Sequence, residues 1–246
     1  MAIDIAGSAL IEVDVQNDFC PAYTTKNGEK RPPGALAVSQ GDEVIKPLNL
    51  MAEKFARSGG KIIVSQDWHP AHHSSFASSH PGKQVNDIMV LPVPRLADPS
   101  SLQETNLREF APAAIQQVLW PDHCVQNSEG ARFHDDLNLE HVNLILRKGY
   151  RRDLDSYSVF FENDRYTPTG LDGFLKGLYI NKLFIGGLAT DYCVLYSVMD
   201  AIRLGYKVVV LTDAVCGVDV PVGSVERAFD MMRQAGVAFM NSGEVV

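Results

Sequence analysis

Cys193 stands where an apolar run gives way to a helical pattern. It closes the stretch Gly186-Gly187-Leu188-Ala189-Thr190-Asp191-Tyr192-Cys193, after Leu183-Phe184-Ile185 and before the helical periodicity of residues 194–202. The start of a helix carries N–H groups without intrahelical partners and a partial positive charge, and both favour a thiolate. The same N–H groups can receive a developing oxyanion. A free cysteine is more often a small buried hydrophobe. The thiol therefore gains meaning only if an acid and a cation stand beside it. Asp14 interrupts the apolar segment Leu10-Ile11-Glu12-Val13-Asp14-Val15, where a carboxylate is costly to bury alone. Its two readings are a proton acceptor for a thiol and a loop cap, with Asn17 and Asp18 as similar caps. Arg147 and Lys148 end another apolar run, and on an extended chain they point to opposite sides. One of them could hold an acid and a thiol in their charged forms. The spacing does not say which.

A second group is Asp67-Trp68-His69-Pro70-Ala71-His72-His73. Asp67 and His69 alternate by two and face one side of an extended segment. A carboxylate and an imidazole so placed suit a metal. His123, on the Pro-restricted loop Trp120-Pro121-Asp122-His123-Cys124, is a candidate third ligand. A polar loop cluster would show the same local spacing.

The elements that must position these groups follow from periodicity. Residues 9–15, 61–65, 142–146, 182–185, 207–211 and 237–240 read as short apolar strands. Residues 44–56 and 223–234 read as helices, with Pro47 in the first turn of the former. Apolar strands separated by helices predict an α/β fold of three layers, a mostly parallel twisted sheet of about six strands with helices on both faces. Ligands of such sheets collect beyond the carboxyl ends of the strands, where Asp14, Asp67, His69, Lys148 and Cys193 all fall. Residues 92–112, rich in Pro and polar side chains, read as a surface insertion with a short helix in a single domain spanning 1–246.

Composition narrows the partners. A formal charge of -8 argues against nucleic acid, whose binding needs clustered Lys and Arg. No apolar run reaches membrane-spanning length, and the first residues lack a signal-peptide pattern. Four cysteines are too few and too scattered for a disulfide scaffold. A reducing, cytoplasmic location is expected.

Taken together, several blocks resemble the nicotinamidase/pyrazinamidase members of the isochorismatase-like cysteine hydrolases. They are residues 13–20 (VDVQNDFC), 67–70 (DWHP) with 73–76 (HSSF), 119–125 (LWPDHCV), Lys148-Gly149 with 155–158 (DSYS), and 187–194 (GLATDYCV). By that resemblance Asp14, Lys148 and Cys193 are the catalytic triad. Asp67, His69 and His123 are the ligands of a divalent metal, zinc first, with manganese or iron as alternatives. His73 matches a ligand of some members and not of others. The resemblance also implies an oxyanion hole from the N–H groups of Ala189 and Cys193, and a cis peptide between Leu188 and Ala189. It makes Phe19, Trp120 and Tyr157 the substrate walls. The implied activity is hydrolysis of nicotinamide to nicotinate and ammonia through a cysteine thioester, in pyridine salvage for NAD, with pyrazinamide also accepted. Insertion 92–112 is longer than the usual connection and leaves a homo-oligomer as an open option. The alternatives are another small amide or carbamoyl substrate on the same triad, a metal-water amidase with a structural Cys193, and a non-catalytic pyridine-binding protein.

Overall fold

The apolar runs form strands whose side chains serve two hydrophobic layers at once. The computed structural model describes residues 5–94 and 112–245. In chain order its strands are β1 (Ser8–Val13), β2 (Tyr23–Thr24), β3 (Lys30–Arg31), β4 (Lys61–Asp67), β5 (Ile88–Pro92), β6 (Ala114–Val118), β7 (Leu144–Lys148), β8 (Lys182–Leu188), β9 (Lys207–Cys216) and β10 (Ala238–Met240). Six of them form one sheet in the order β10-β9-β8-β1-β4-β7, with every neighbouring pair parallel. The helices are α1 (Ile45–Ser58), α2 (Leu171–Gly177), α3 (Leu195–Arg203) and α4 (Ser224–Gln234). Leu10, Ile62, Phe184 and Val209 pack with Leu48, Met51 and Phe55 of α1 on one face. Ile11, Ile63, Ile185 and Val210 pack with residues of α2, α3 and α4 on the other. Successive strand residues thus feed opposite layers, and the three-layer expectation holds.

The ends of the strands differ from the expected ones in ways that build the rim. β1 stops at Val13 rather than residue 15, because Asp14 takes a left-handed backbone (φ 50°). β8 runs three residues past the expected end, to Leu188. There the backbones of β1 and β8 approach so closely that a Cβ on Gly187 (φ +117°) would lie 2.1 Å from the Val13 carbonyl oxygen. Only glycine fits that contact and that conformation. The Leu188–Ala189 peptide is cis, and the chain continues into a single π-helical turn, Thr190–Val194, ahead of α3.

Most of the expected insertion, residues 95–111, lies outside the described residues, as would its short helix. The segments on either side of it are ordered strands. β5 and β6 pair antiparallel, from Ile88 opposite Val118 to Pro92 opposite Ala114. Helix α2 was not expected either, since Gly173 and Gly177 weaken its periodicity.

Candidate active site

Lys148, the last residue of β7, is fully buried and its ammonium gathers the rim. The Nζ atom lies 2.8 Å from Asp14 Oδ2 and 2.5 Å from Asp67 Oδ1. It also donates to the Ser156 carbonyl oxygen at 2.9 Å and stands 3.4 Å from Cys193 Sγ. Arg147 goes the other way. Its guanidinium lies 3.8 Å from the centre of the Trp68 ring, and its Nε donates to Gln66 Oε1. The alternation along β7 thus selects Lys148 for the rim. Asp14 is held from its other side by the Ser65 hydroxyl, which donates to Oδ1 at 2.7 Å. Burial pushes the Asp14 carboxyl up to about 6, and Lys148 opposes that shift. Burial also pushes the Cys193 thiol well above its ordinary range, with Lys148 opposing and Asp14 reinforcing. The resting thiol is therefore protonated. An acceptor for its proton is close: one oxygen of Asp14, one of Asp67 and the Cys193 sulfur lie within 4.8 Å of one another.

Asp67, His69 and His123 converge on the far side of Lys148. One ligand atom from each lies within 4.8 Å of the other two, and all three residues are buried. The two imidazoles are preset. His69 Nδ1 is 2.8 Å from the Gly149 carbonyl oxygen, and His123 Nδ1 is 2.8 Å from that of Pro121. Each carbonyl fixes the proton on Nδ1 and turns the Nε2 lone pair inward, the arrangement metal-binding histidines adopt. His69 Nε2 lies 3.7 Å and His123 Nε2 4.0 Å from Asp67 Oδ2. Burial works against an ionised Asp67, but neighbouring positive charge, that of Lys148 first, outweighs it and holds the carboxyl well below its usual range. An ionised carboxylate and two imidazoles with inward lone pairs are a donor set that fits a divalent metal. Gly149 has to be a glycine here. A Cβ would sit 2.5 Å from His69 Cε1, on a backbone of φ +61°. His73 stacks on His69 at 4.2 Å between ring centres. Its Nδ1 meets the Ser75 hydroxyl at 2.7 Å, while its buried Nε2 has no partner among the described residues.

The aromatic candidates surround this rim. Phe19 packs edge-on to His123 at 5.5 Å, and Trp120 packs edge-on to Tyr192 at 4.8 Å. Trp120 Nε1 donates to the Tyr157 hydroxyl, which also accepts from Gln117 Nε2. Ala189 follows the cis bond, and Cys193 lies in the turn after it. Of the other supports, sequence reading assigns a role only to Asp18, as a loop cap, and none to Gln16 or Asp155. Gln16 clamps the backbone of Asp67 with two hydrogen bonds, each 2.8 Å long. Asp18 accepts from the backbone N–H groups of Cys124 and Ala35, fixing the loop that carries His123. Asp155 stands 3.9 Å from His69 Nε2 and accepts from Gln117. A carboxylate or amide in a segment of motif residues is the only sequence signal for them.

With this geometry in hand, similarity to known proteins becomes informative. The isochorismatase domain model matches residues 8–244. The chain belongs to the isochorismatase family. Within the family it is 39% identical to the nicotinamidase of Acinetobacter baylyi over 238 residues, 97% of this chain and 94% of that relative. Among solved structures, an Acinetobacter nicotinamidase/pyrazinamidase superposes with a TM-score of 0.79 at 38% identity, covering 98% of both chains. A Pyrococcus horikoshii pyrazinamidase in complex with zinc gives 0.66 at 31% identity, over 96% of this chain and 99% of that one. The isochorismatase-family chain shares with these structures the mostly parallel six-stranded sheet flanked by helices.

Proposed function

We propose that this chain is a nicotinamidase, an amidohydrolase that converts nicotinamide to nicotinate and ammonia with Cys193 as nucleophile. The observation that carries the reading is Lys148, whose one ammonium touches Asp14, Asp67 and Cys193 together. It joins a thiol and its acid to a ready-made metal ligand set. The similarity to nicotinamidases over nearly the whole chain supports the substrate. Pyrazinamide offers the same carboxamide meta to a ring nitrogen and is a second substrate.

In this reading Asp14 accepts the Cys193 proton as the sulfur bonds to the amide carbon, while Lys148 keeps its charge and balances the carboxylate. The backbone N–H groups of Ala189 and Cys193 receive the oxyanion, worth about 3–4 kcal/mol per donor in comparable sites. Asp14 returns the proton to the departing ammonia and leaves a thioester. It then takes a proton from water, whose oxygen attacks the thioester. Nicotinate leaves, and the thiol regains its proton. A divalent metal held by Asp67, His69 and His123 would supply a Lewis-acid anchor for the pyridine nitrogen; zinc is our choice of metal, supported by the zinc complex of the similar pyrazinamidase. Phe19, Trp120 and Tyr157 flank the ring and exclude water. An amide is a poor electrophile, so such placement is a large part of the rate. We further read residues 1–246 as one domain acting in the cytoplasm, which suits four free cysteines. No helix among the described residues is long and apolar enough to cross a membrane.

The test is Cys193→Ala. It should release no ammonia from nicotinamide while its metal content stays at the wild-type level, and the wild type should yield an acyl adduct on Cys193 by mass spectrometry. Ammonia release retained in Cys193→Ala would leave a metal-water amidase in place of the thiol mechanism.

A further inference from the structure

We infer that Gln16 is a positioning residue that aims the Asp67 carboxylate at the metal, by standing in for a missing strand. The inference rests on the metal reading of Asp67, His69 and His123 given above. The ladder between β1 and β4 ends at Glu12 opposite Val64, because β1 turns away at Asp14. β4 runs on for three residues, to Asp67. Its edge toward β7 remains paired, with Asp67 opposite Lys148. Its edge toward β1 has lost its neighbour where the candidate ligand sits. Buried backbone groups left without partners are costly, and they leave the strand end free to shift.

The Gln16 side chain fills that gap as a peptide group would. Its Oε1 accepts the Asp67 N–H at 2.8 Å, and its Nε2 donates to the Asp67 carbonyl oxygen at 2.8 Å. The second Nε2 hydrogen goes to the Ala131 carbonyl oxygen at 3.0 Å. Gln16 is itself fully buried. These three partners admit one orientation of the amide: the oxygen must meet the one donor and the nitrogen the two acceptors. A primary amide is the only neutral side chain offering both functions in that plane. Asn is one methylene shorter, and an ionised Glu cannot donate. Gln66 offers an internal comparison. Its Nε2 also donates to the Ala131 carbonyl oxygen, at 2.6 Å, but it makes no hydrogen bond to Asp67.

The test uses the full chain loaded with zinc, titrated with a competing chromophoric chelator. Gln16→Met keeps the length and removes both bonds to Asp67; its zinc affinity should fall about 10- to 100-fold, the usual effect of losing an outer-shell support. Gln66→Met loses the shared Ala131 contact and the bond from Arg147 Nε, but nothing on Asp67, and should stay within about twofold of wild type on the same scale. The nicotinamide KM of Gln16→Met should rise and recover with excess zinc, which a general loss of folding would not allow. If Gln16→Met does not fold, Gln16→Glu keeps shape and acceptor, loses the donor, and should shift zinc affinity in the same direction. Wild-type zinc affinity in a folded Gln16 variant overturns the inference, as does an equal loss in the Gln16 and Gln66 variants. A wild-type protein that takes up no divalent metal removes the metal reading first and this inference with it, before any variant is compared.

Discussion

Replacing Glu12 with glutamine should remove a contribution that lowers this protein's stability as pH rises from 5 to 8. Glu12 lies next to the end of β1, between Val64 and Gly186 of the neighbouring strands. It is 1% exposed, and neither carboxyl oxygen has a partner among the described residues. Burial alone pushes its carboxyl from an ordinary 4.5 up to about 8. The folded protein therefore keeps Glu12 neutral at neutral pH, while the unfolded chain ionises it. Below 4.5 the group is protonated in both states and costs nothing by this route. Between 4.5 and 8 the unfolded state releases a proton that the folded state retains, so stability falls as pH rises. At about 1.4 kcal/mol per pH unit, the gap from 4.5 to about 8 corresponds to about 5 kcal/mol. That is a large share of the stability of a typical domain. Glutamine has nearly the same shape and does not titrate. Its own amide adds a constant offset of about 1–3 kcal/mol for unmet hydrogen bonds, which cancels when only the slope with pH is read. The assay is urea unfolding of wild type and Glu12→Gln at several pH values from 5 to 8.5, followed by circular dichroism. The difference in unfolding free energy should grow in favour of the variant through that range and level off above it. A difference that stays constant with pH would refute the reasoning, because it would mean that Glu12 ionises at its ordinary pH in the folded protein.

Other consequences concern the site. With Asp14 pushed up to about 6 by burial, kcat/KM for nicotinamide should fall about tenfold per unit below that pH. The Ser65 hydroxyl holds the ionised form, so Ser65→Ala should move this acid limb upward by about one unit; a pH profile with an unmoved limb would disconnect Asp14 from the rate. Lys148→Met leaves two buried carboxylates facing each other without their cation. It should cost about 3–5 kcal/mol of stability and abolish turnover, and near-wild-type unfolding in urea would contradict the shared ion pair. Gly149→Ala puts a methyl group 2.5 Å from His69 Cε1. Its zinc content after dialysis, measured by atomic absorption, should drop well below wild type, and full retention would show that His69 does not need its present position.

What could be read in the sequence depended on the length scale over which each feature is encoded. Strand apolarity is local, so β4, β7, β8 and β9 stand out in their own residues. So does the placement of Asp14, Asp67, Lys148 and Cys193 at strand ends, since a polar residue terminating an apolar run is visible within a few positions. The β5–β6 hairpin is not local. Ala114-Ile115-Gln116-Gln117-Val118 carries little β signal, and it becomes a strand through pairing with residues 88–92. Helix α2 is held by burial of Leu171 and Leu175 rather than by propensity.

The supports of the site lie at the far end of this scale, and Gln16 shows why. Its side chain serves a backbone 51 residues away and a carbonyl 115 residues away. Asp18 reaches Cys124 across 106 residues. Nothing in the neighbourhood of either residue encodes its partner, because the partner is a peptide group and every residue has one. Residues whose own side chains do the chemistry keep a recognisable type. Those that hold other backbones in place could be exchanged between many positions without changing any local pattern. The same limit hid the contact of Lys148 with Asp67. Sequence placed it near one acid, but only the parallel registers of β1, β4 and β7 bring two acids to it. That second contact makes the proposed thiol chemistry and the proposed metal site share one charge. A change on either side should therefore be felt on the other.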